Sequence, residues 1–415
     1  MPQAFRTVIR HCRLSIVIAI FSFSSTTATA QSFGPDVSFS GFGTLGYAIL
    51  DDENAEFRTG EAIDGADDSG SFEVDSRLGL QMDVTFNTAF SSTFQLIARE
   101  AEDGDVAAEL EWGFLRWLAT DNITIRAGRM SLPVYNISDF REVGYAIPFL
   151  RPPEDLYSMI PLRRFEGADI TIDHEWNDAL FRWQFFAGQS REEIFDNLAP
   201  DTELAVGASL AVERGPARIR LSHVSADVDI DSQNANRAAI LAGINQALPL
   251  VPSLSSVGAD FTGEEVPFFF NALSLGLNFS RIFIDAEFTQ RRVDNWVSDV
   301  DGWSLAVGTR IGDIRPYVYV SQLTEPDGDR RINLPDNPQL NPLEAGINQF
   351  YAPRDQSTIG IGARYNLSAN LALKAQIDRI SRDEIGISFN RVSVDDGTDD
   401  GDDVTLFSAT VDFIF

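Results

Sequence analysis

The chain is poor in the residues on which disulfide-rich exported domains and most hydrolases rely. Its 415 residues hold one cysteine, Cys12, one lysine, Lys374, and three histidines. A lone thiol excludes a disulfide framework and a cysteine metal site. Beyond residue 30 only His174 and His223 remain, and neither stands near a Gly-x-Ser-x-Gly elbow, so no Ser-His-acid site is assigned. Positive charge is scarce as well. The 32 Lys and Arg face 62 Asp and Glu, a formal net charge of −30, which argues against nucleic-acid partners. No later segment has the length and apolarity of a transmembrane helix, so any membrane crossing must be made by strands. Catalytic residues, metal ligands and cofactors: none is expected.

What is present starts with an export signal. Arg6, Arg10 and Arg13 precede the apolar stretch "LSIVIAIFSF", and the small residues Ala28 and Ala30 stand just before Gln31. This pattern predicts a cleaved secretory signal over 1–30 and a mature chain over 31–415. Cleavage removes three arginines and no acid, taking the charge from −30 to −33, and it also removes Cys12.

The chain ends on "VTLFSATVDFIF", where Phe407, Ala409, Val411, Phe413 and Phe415 alternate with Ser408, Thr410 and Asp412. Alternation of this kind marks a strand with one apolar and one polar face. It recurs along the chain and predicts strands near 37–50, 72–86, 90–101, 108–119, 122–130, 166–176, 179–189, 202–213, 215–226, 267–280, 281–293, 300–311, 313–324, 356–366, 369–381 and 403–415. Every second connection is a tight turn, such as Asn177-Asp178 or Gly312-Asp313, and the connections between them are long and polar. The fold class is therefore all-β: a transmembrane antiparallel β-barrel of about sixteen strands, with short periplasmic turns and long external loops. The apolar rows, among them Leu273, Leu275 and Leu277, face lipid, and their charged alternates face a wet lumen. The aromatic runs at 112–117, 181–186 and 267–270 are read as interfacial girdles.

With the signal, the strand count, the terminal Phe415 and a long loop after the fifth strand in view, the mature chain resembles the general porins of Gram-negative outer membranes. The resemblance implies an outer-membrane location, a homotrimer in contact with membrane lipid and lipopolysaccharide, and passive diffusion of ions and small hydrophilic solutes through a water-filled pore. It also implies a third external loop, here 131–165, folded inward as a constriction. Val411, Phe413 and Phe415 then belong to the signal that the barrel-assembly machinery reads. The Pro-Glu-Phe-Gly-Gly stretch of enteric porin loops is absent.

Within that loop Asp139, Glu142, Glu154 and Asp155 are the acids expected at the constriction. Arg77, Arg99, Arg126, Arg129, Arg364 and Lys374 are the cations expected on the pore wall. Acids opposite arginines across a narrow lumen set up a transverse field that orients polar solutes. The total charge points to a preference for cations. Gly41 and Gly43, on the outward parity of the first strand, offer room for a neighbouring protomer. The acidic run at 394–404 reads as a solvated external loop, since it lacks the terminal Glu of a calcium-binding loop. "AGINQ" occurs at 242–246 and again at 345–349, in two loops of the same rim. Two rivals to a diffusion porin are a substrate-selective channel and a surface receptor or adhesin with a blocked lumen.

Overall fold

In the computed structural model the chain closes into a barrel of sixteen antiparallel strands. They are β1 (Asp36–Leu50), β2 (Arg77–Thr85), β3 (Phe90–Glu100), β4 (Val106–Thr120), β5 (Ile123–Ser131), β6 (Arg164–Trp176), β7 (Ala179–Arg191) and β8 (Leu198–Arg214), followed by β9 (Ala217–Ser232), β10 (Val266–Asn278), β11 (Ile282–Val293), β12 (Val300–Thr309), β13 (Ile314–Thr324), β14 (Gln356–Ser368), β15 (Leu371–Arg382) and β16 (Val404–Ile414). Among the described residues four α-helices lie in the loops: α1 (Glu154–Tyr157), α2 (Ala235–Ala247), α3 (Leu254–Asp260) and α4 (Asn341–Phe350). The structure describes residues 34–415 apart from 53–54, 60–64, 101–105, 161, 192–197, 233–234, 263–264, 294, 383–391 and 395–402. The expected signal with its boundary at Ala28, Ala30 and Gln31, and most of the acidic run at 394–404, lie outside the described residues.

Each expected strand is found, with shifted ends. The second begins at Arg77 instead of Phe72, because Asp75 and Ser76 leave the ladder: Ser76 Oγ accepts from Gly46 N at 3.0 Å and Asp75 takes the guanidinium of Arg151. One short connection shows the backbone geometry that a two-residue hairpin favours. Asn177 and Asp178 both have positive φ, 48° and 60°, the geometry of a two-residue turn whose twist matches its strands.

The pleat sorts the side chains as the alternation predicts. Leu273, Phe288, Ile359, Ile361, Leu373, Ile377 and Phe407 are exposed on the outer face of the barrel, while Ser274, Glu287, Lys374, Gln376, Asp378, Ser408 and Asp412 are buried inside. The aromatic runs are split by the same rule. Trp117 is exposed and stacks on Phe90, and Trp183, Phe185 and Phe269 are exposed as well. Phe114 instead lies under Arg126, and Phe186, Phe268 and Phe270 join an internal apolar cluster.

Closure brings the chain's last face against its first. Phe413 is opposite Gly43 in register, and a Cβ on Gly41 or Gly43 would strike the rings of Phe415 and Phe413. The space above these glycines is filled by the chain's own final strand, which corrects the reading of it as room for a neighbouring protomer.

Candidate pore lining and the loop across the lumen

The loop after β5, residues 132–163, leaves one wall and crosses to the other. It is rich in proline and aromatic residues, which stiffen it, and short 3₁₀ turns at Ser138–Phe140 and Gly144–Ala146 precede α1. Most of the loop's side chains are buried. Inward side chains of the far wall hold its backbone. Lys374 Nζ donates to the carbonyls of Gly144 (2.7 Å) and Phe149 (2.6 Å). Arg364 donates to those of Tyr145 and Ile147, Arg291 to Met159 (2.9 Å) and Arg220 to Pro133 (2.6 Å). In the other direction, Leu150 N donates to Tyr317 Oη at 2.9 Å, and Asn136 N donates to Glu287 Oε1 at 3.0 Å. Tyr145 Oη reaches Ala369 O, in the short turn between β14 and β15.

The four acids proposed from sequence fall into different environments. Asp155 is buried and fixed by Ser321 Oγ and by Gln356 Nε2 (2.6 Å), so it ties α1 to β13 and β14; burial pushes its carboxyl up despite those bonds. Glu142 forms ion pairs with Arg99 (3.2 Å), Arg77 (3.4 Å), Arg163 (3.6 Å) and Arg141 (3.7 Å). Burial opposes its charge, yet Arg99, Arg77 and Arg141 together hold its carboxyl at about 2. Glu154 lines the same cavity of about 90 Å³ as Arg77, Arg99 and Glu142. Burial pushes its carboxyl up to about 7, against the pull of Arg141 and Arg151. Asp139 alone of the four is exposed, and its charge acts on Arg126, Arg182 and Arg220 of β5, β7 and β9.

The cations separate as well. Arg77 and Arg99 point into the lumen and meet the loop through Glu142. Arg126 is inward and bound to the buried Asp169. Arg129 is a correction: three residues on from Arg126 it has the opposite parity, and on the outer face it pairs with Glu166 and the carbonyl of Leu110. Arg364 and Lys374 do not face the loop acids across an opening. Arg364 stacks on Tyr145 at 4.5 Å, and Lys374 is buried in an ion pair with Asp412 at 3.0 Å; both clamp the loop instead.

Sequence reasoning missed the central clamp, Arg151. Its Nε and Nη2 donate to Asp75 (3.0 and 2.6 Å), Nη2 also donates to Ser408 Oγ (2.7 Å), and Nη1 lies 3.6 Å from Asp378. The only available hint was an arginine placed directly before Pro152-Pro153 in an otherwise apolar stretch.

The external mouth is covered on one side. The loop between β9 and β10 carries α2 and α3, and the loop between β13 and β14 carries α4. Ile240, Ile244, Leu254, Phe261, Ile347 and Tyr351 from these loops join Tyr135, Leu156 and Met159 of the crossing loop in one apolar cluster. The two AGINQ segments meet there. A Cβ on Gly243 would lie 2.9 Å from Leu343 Cδ1, and one on Gly346 would lie 3.4 Å from Ile240. Each glycine receives the aliphatic residue three positions before the other.

No protein-family model matches the sequence, and no curated protein matches it. Solved structures do. An anion-selective porin from Comamonas acidovorans aligns with TM-score 0.55 and 12% identity over 92% of this chain and 100% of that chain. Salmonella typhi OmpF in complex with daunomycin aligns with TM-score 0.52 and 12% identity over 92% of this chain and 98% of the other. The outer membrane channel DcaP of Acinetobacter baumannii aligns with TM-score 0.52 and 10% identity, again over 92% and 98%. What is shared at these identities is the fold, a sixteen-stranded barrel of porin type.

Proposed function

We propose that this protein is an outer-membrane channel through which ions and small hydrophilic solutes diffuse passively, with residues 132–163 narrowing the pore. The observation that carries this reading is the crossing loop, fixed to the far wall by Lys374, Arg364 and Arg151, with Asp139 left exposed on its free side. A loop meant only to plug the barrel has no need of a solvated carboxylate among wall arginines. The outward apolar rows and the porin-type barrel support a membrane setting, and the homotrimer stays part of the proposal.

The throat favours anions, contrary to what total charge suggests. Asp155 is consumed as an anchor, and Glu142 is surrounded by four arginines. Local fixed charge governs permeation more than the distant acidic loops, which salt screens within about 10 Å. The test is the reversal potential of the purified protein in a planar bilayer under a salt gradient. An anion-sign potential that grows in Asp139→Asn is expected. A cation-sign potential unaffected by that substitution overturns the throat assignment, and no conductance overturns the channel in favour of a receptor.

A further inference from the structure

On the short-turn side of the crossing loop lies a second cavity, of about 330 Å³. Its walls are largely apolar: Phe140 and Phe149 of the loop and Phe283 of β11 line it, with Phe149 and Phe283 6.1 Å apart. Its rim is cationic. Arg315 and Arg364 stand directly opposite each other across β13 and β14, and Arg364 is opposite Lys374 across β14 and β15. Like charges in directly opposed positions destabilise a sheet. Lys374 has Asp412 as its counter-ion, and Arg364 is satisfied by carbonyls. Arg315 has no hydrogen-bond or ion-pair partner among the described residues, although it points inward and is half-buried. Arg310 adds a third cation to the lining, poised over Phe283 at 5.9 Å, and Arg218 a fourth; Lys374 lies behind the wall. Two carboxylates line the cavity. Glu287 is occupied by Tyr157, Ser274 and Asn136 N, which leaves Asp285 as the only acid to set against the arginines.

We propose that this cavity is a binding site for small organic anions that carry an apolar body, such as aromatic or branched alkyl carboxylates. The anionic group takes the unpartnered guanidinium of Arg315 beside Arg364, and so relieves the like-charge opposition of the two strands. The body packs on Phe149 and Phe283. A volume of this size holds about ten waters, hence a body of roughly that many heavy atoms. Free inorganic anions would gain the charge and forgo the apolar wall.

The test is calorimetric titration of the full-length chain, folded in detergent, with benzoate, acetate and benzylammonium. Benzoate is expected to bind saturably at one site, and the other two at least about tenfold more weakly. Arg315→Gln is expected to weaken benzoate by about tenfold or more, and because Arg315 supports no other residue the barrel keeps its heat-modifiable mobility on gels. Asp285→Asn is expected to tighten benzoate. Equal affinity for acetate, unchanged affinity in Arg315→Gln, or preference for benzylammonium overturns the site. The measurement does not require conduction: a silent barrel that binds benzoate refutes the channel and leaves the site standing.

Discussion

Phe415 lays its ring over Gly41, and the two residues exchange backbone hydrogen bonds of 2.9 Å in both directions. The barrel is thus closed by an aromatic residue seated on a glycine of the first strand. Gly41→Val puts methyl groups where the ring lies, and overpacking of this kind costs about 1–3 kcal/mol. Denaturant unfolding in detergent, followed by gel mobility, should show that loss. In a Phe415→Ala background the same substitution should cost much less, since the clash has been removed. Additive effects would mean that the ring and the glycine are not coupled.

Arg151 fixes the crossing loop at its far end, and it is buried with Asp75 and Asp378. Its removal leaves two buried carboxylates without their cation, which for a buried pair costs about 3–5 kcal/mol. Arg151→Met is therefore expected to free the loop while the strands persist. Limited proteolysis should cut between 132 and 163 in the variant and spare the parent chain. Equal resistance would show that Lys374 and Arg364 suffice.

These two relationships differ in how far the sequence disclosed them. The pairing of the terminal strands rests on period two and on tight turns such as Asn177-Asp178, both local signals, and all sixteen strands could be placed from them. Parity also identified Arg77, Arg99 and Arg126 as inward. Arg129, expected on the wall because it stands near the loop entrance, has the outward parity, and within the loop parity has nothing to work with. Arg151, Asp155 and Lys374 meet partners more than 200 residues away or on the opposite wall. No local pattern encodes which carboxylate such a loop buries and which it leaves in water. The AGINQ repeats were visible as a coincidence of sequence, and only the packing of α2 on α4 gives them a physical meaning.

Glu154 and Glu142 give the loop's attachment a dependence on pH with opposite signs in two windows. Glu154 is held at about 7 by burial, against an ordinary value of 4.5. Between 4.5 and 7 its native form keeps a proton that the released form gives up, so attachment weakens as pH rises through that window and levels off above it. Glu142, held at about 2 by its arginines, contributes fully above 4.5 and loses that contribution as pH falls towards 2. Cleavage of the loop by a protease active across the range should be slower at pH 5 than at pH 8. Glu154→Gln should reduce the difference, leaving the share of Asp155, whose carboxyl burial also pushes up. An undiminished difference in this variant would assign the effect to Asp155 or another group.

The helix pair over the mouth is held by the fit of two glycines to two aliphatic side chains, with Ile244 and Ile347 buried beside them. Gly243→Leu forces Leu343 away and separates α2 from α4, without touching the barrel wall. The expected outcome is exposure of the apolar cluster under the helices. A single reporter cysteine at Ile347 can read it, because Cys12 is the only natural thiol and lies in the expected signal segment. Maleimide labelling of Ile347→Cys should be slow with Gly243 in place and at least about tenfold faster with Gly243→Leu, since a fully buried thiol reacts only when its cover opens. Fast labelling in both would mean that the helices part readily without help, and the mouth would then be open on the timescale of the reagent. Slow labelling in both would locate the hold elsewhere, in Phe261, Trp296 and Tyr351, whose rings pack together at the base of the same helices.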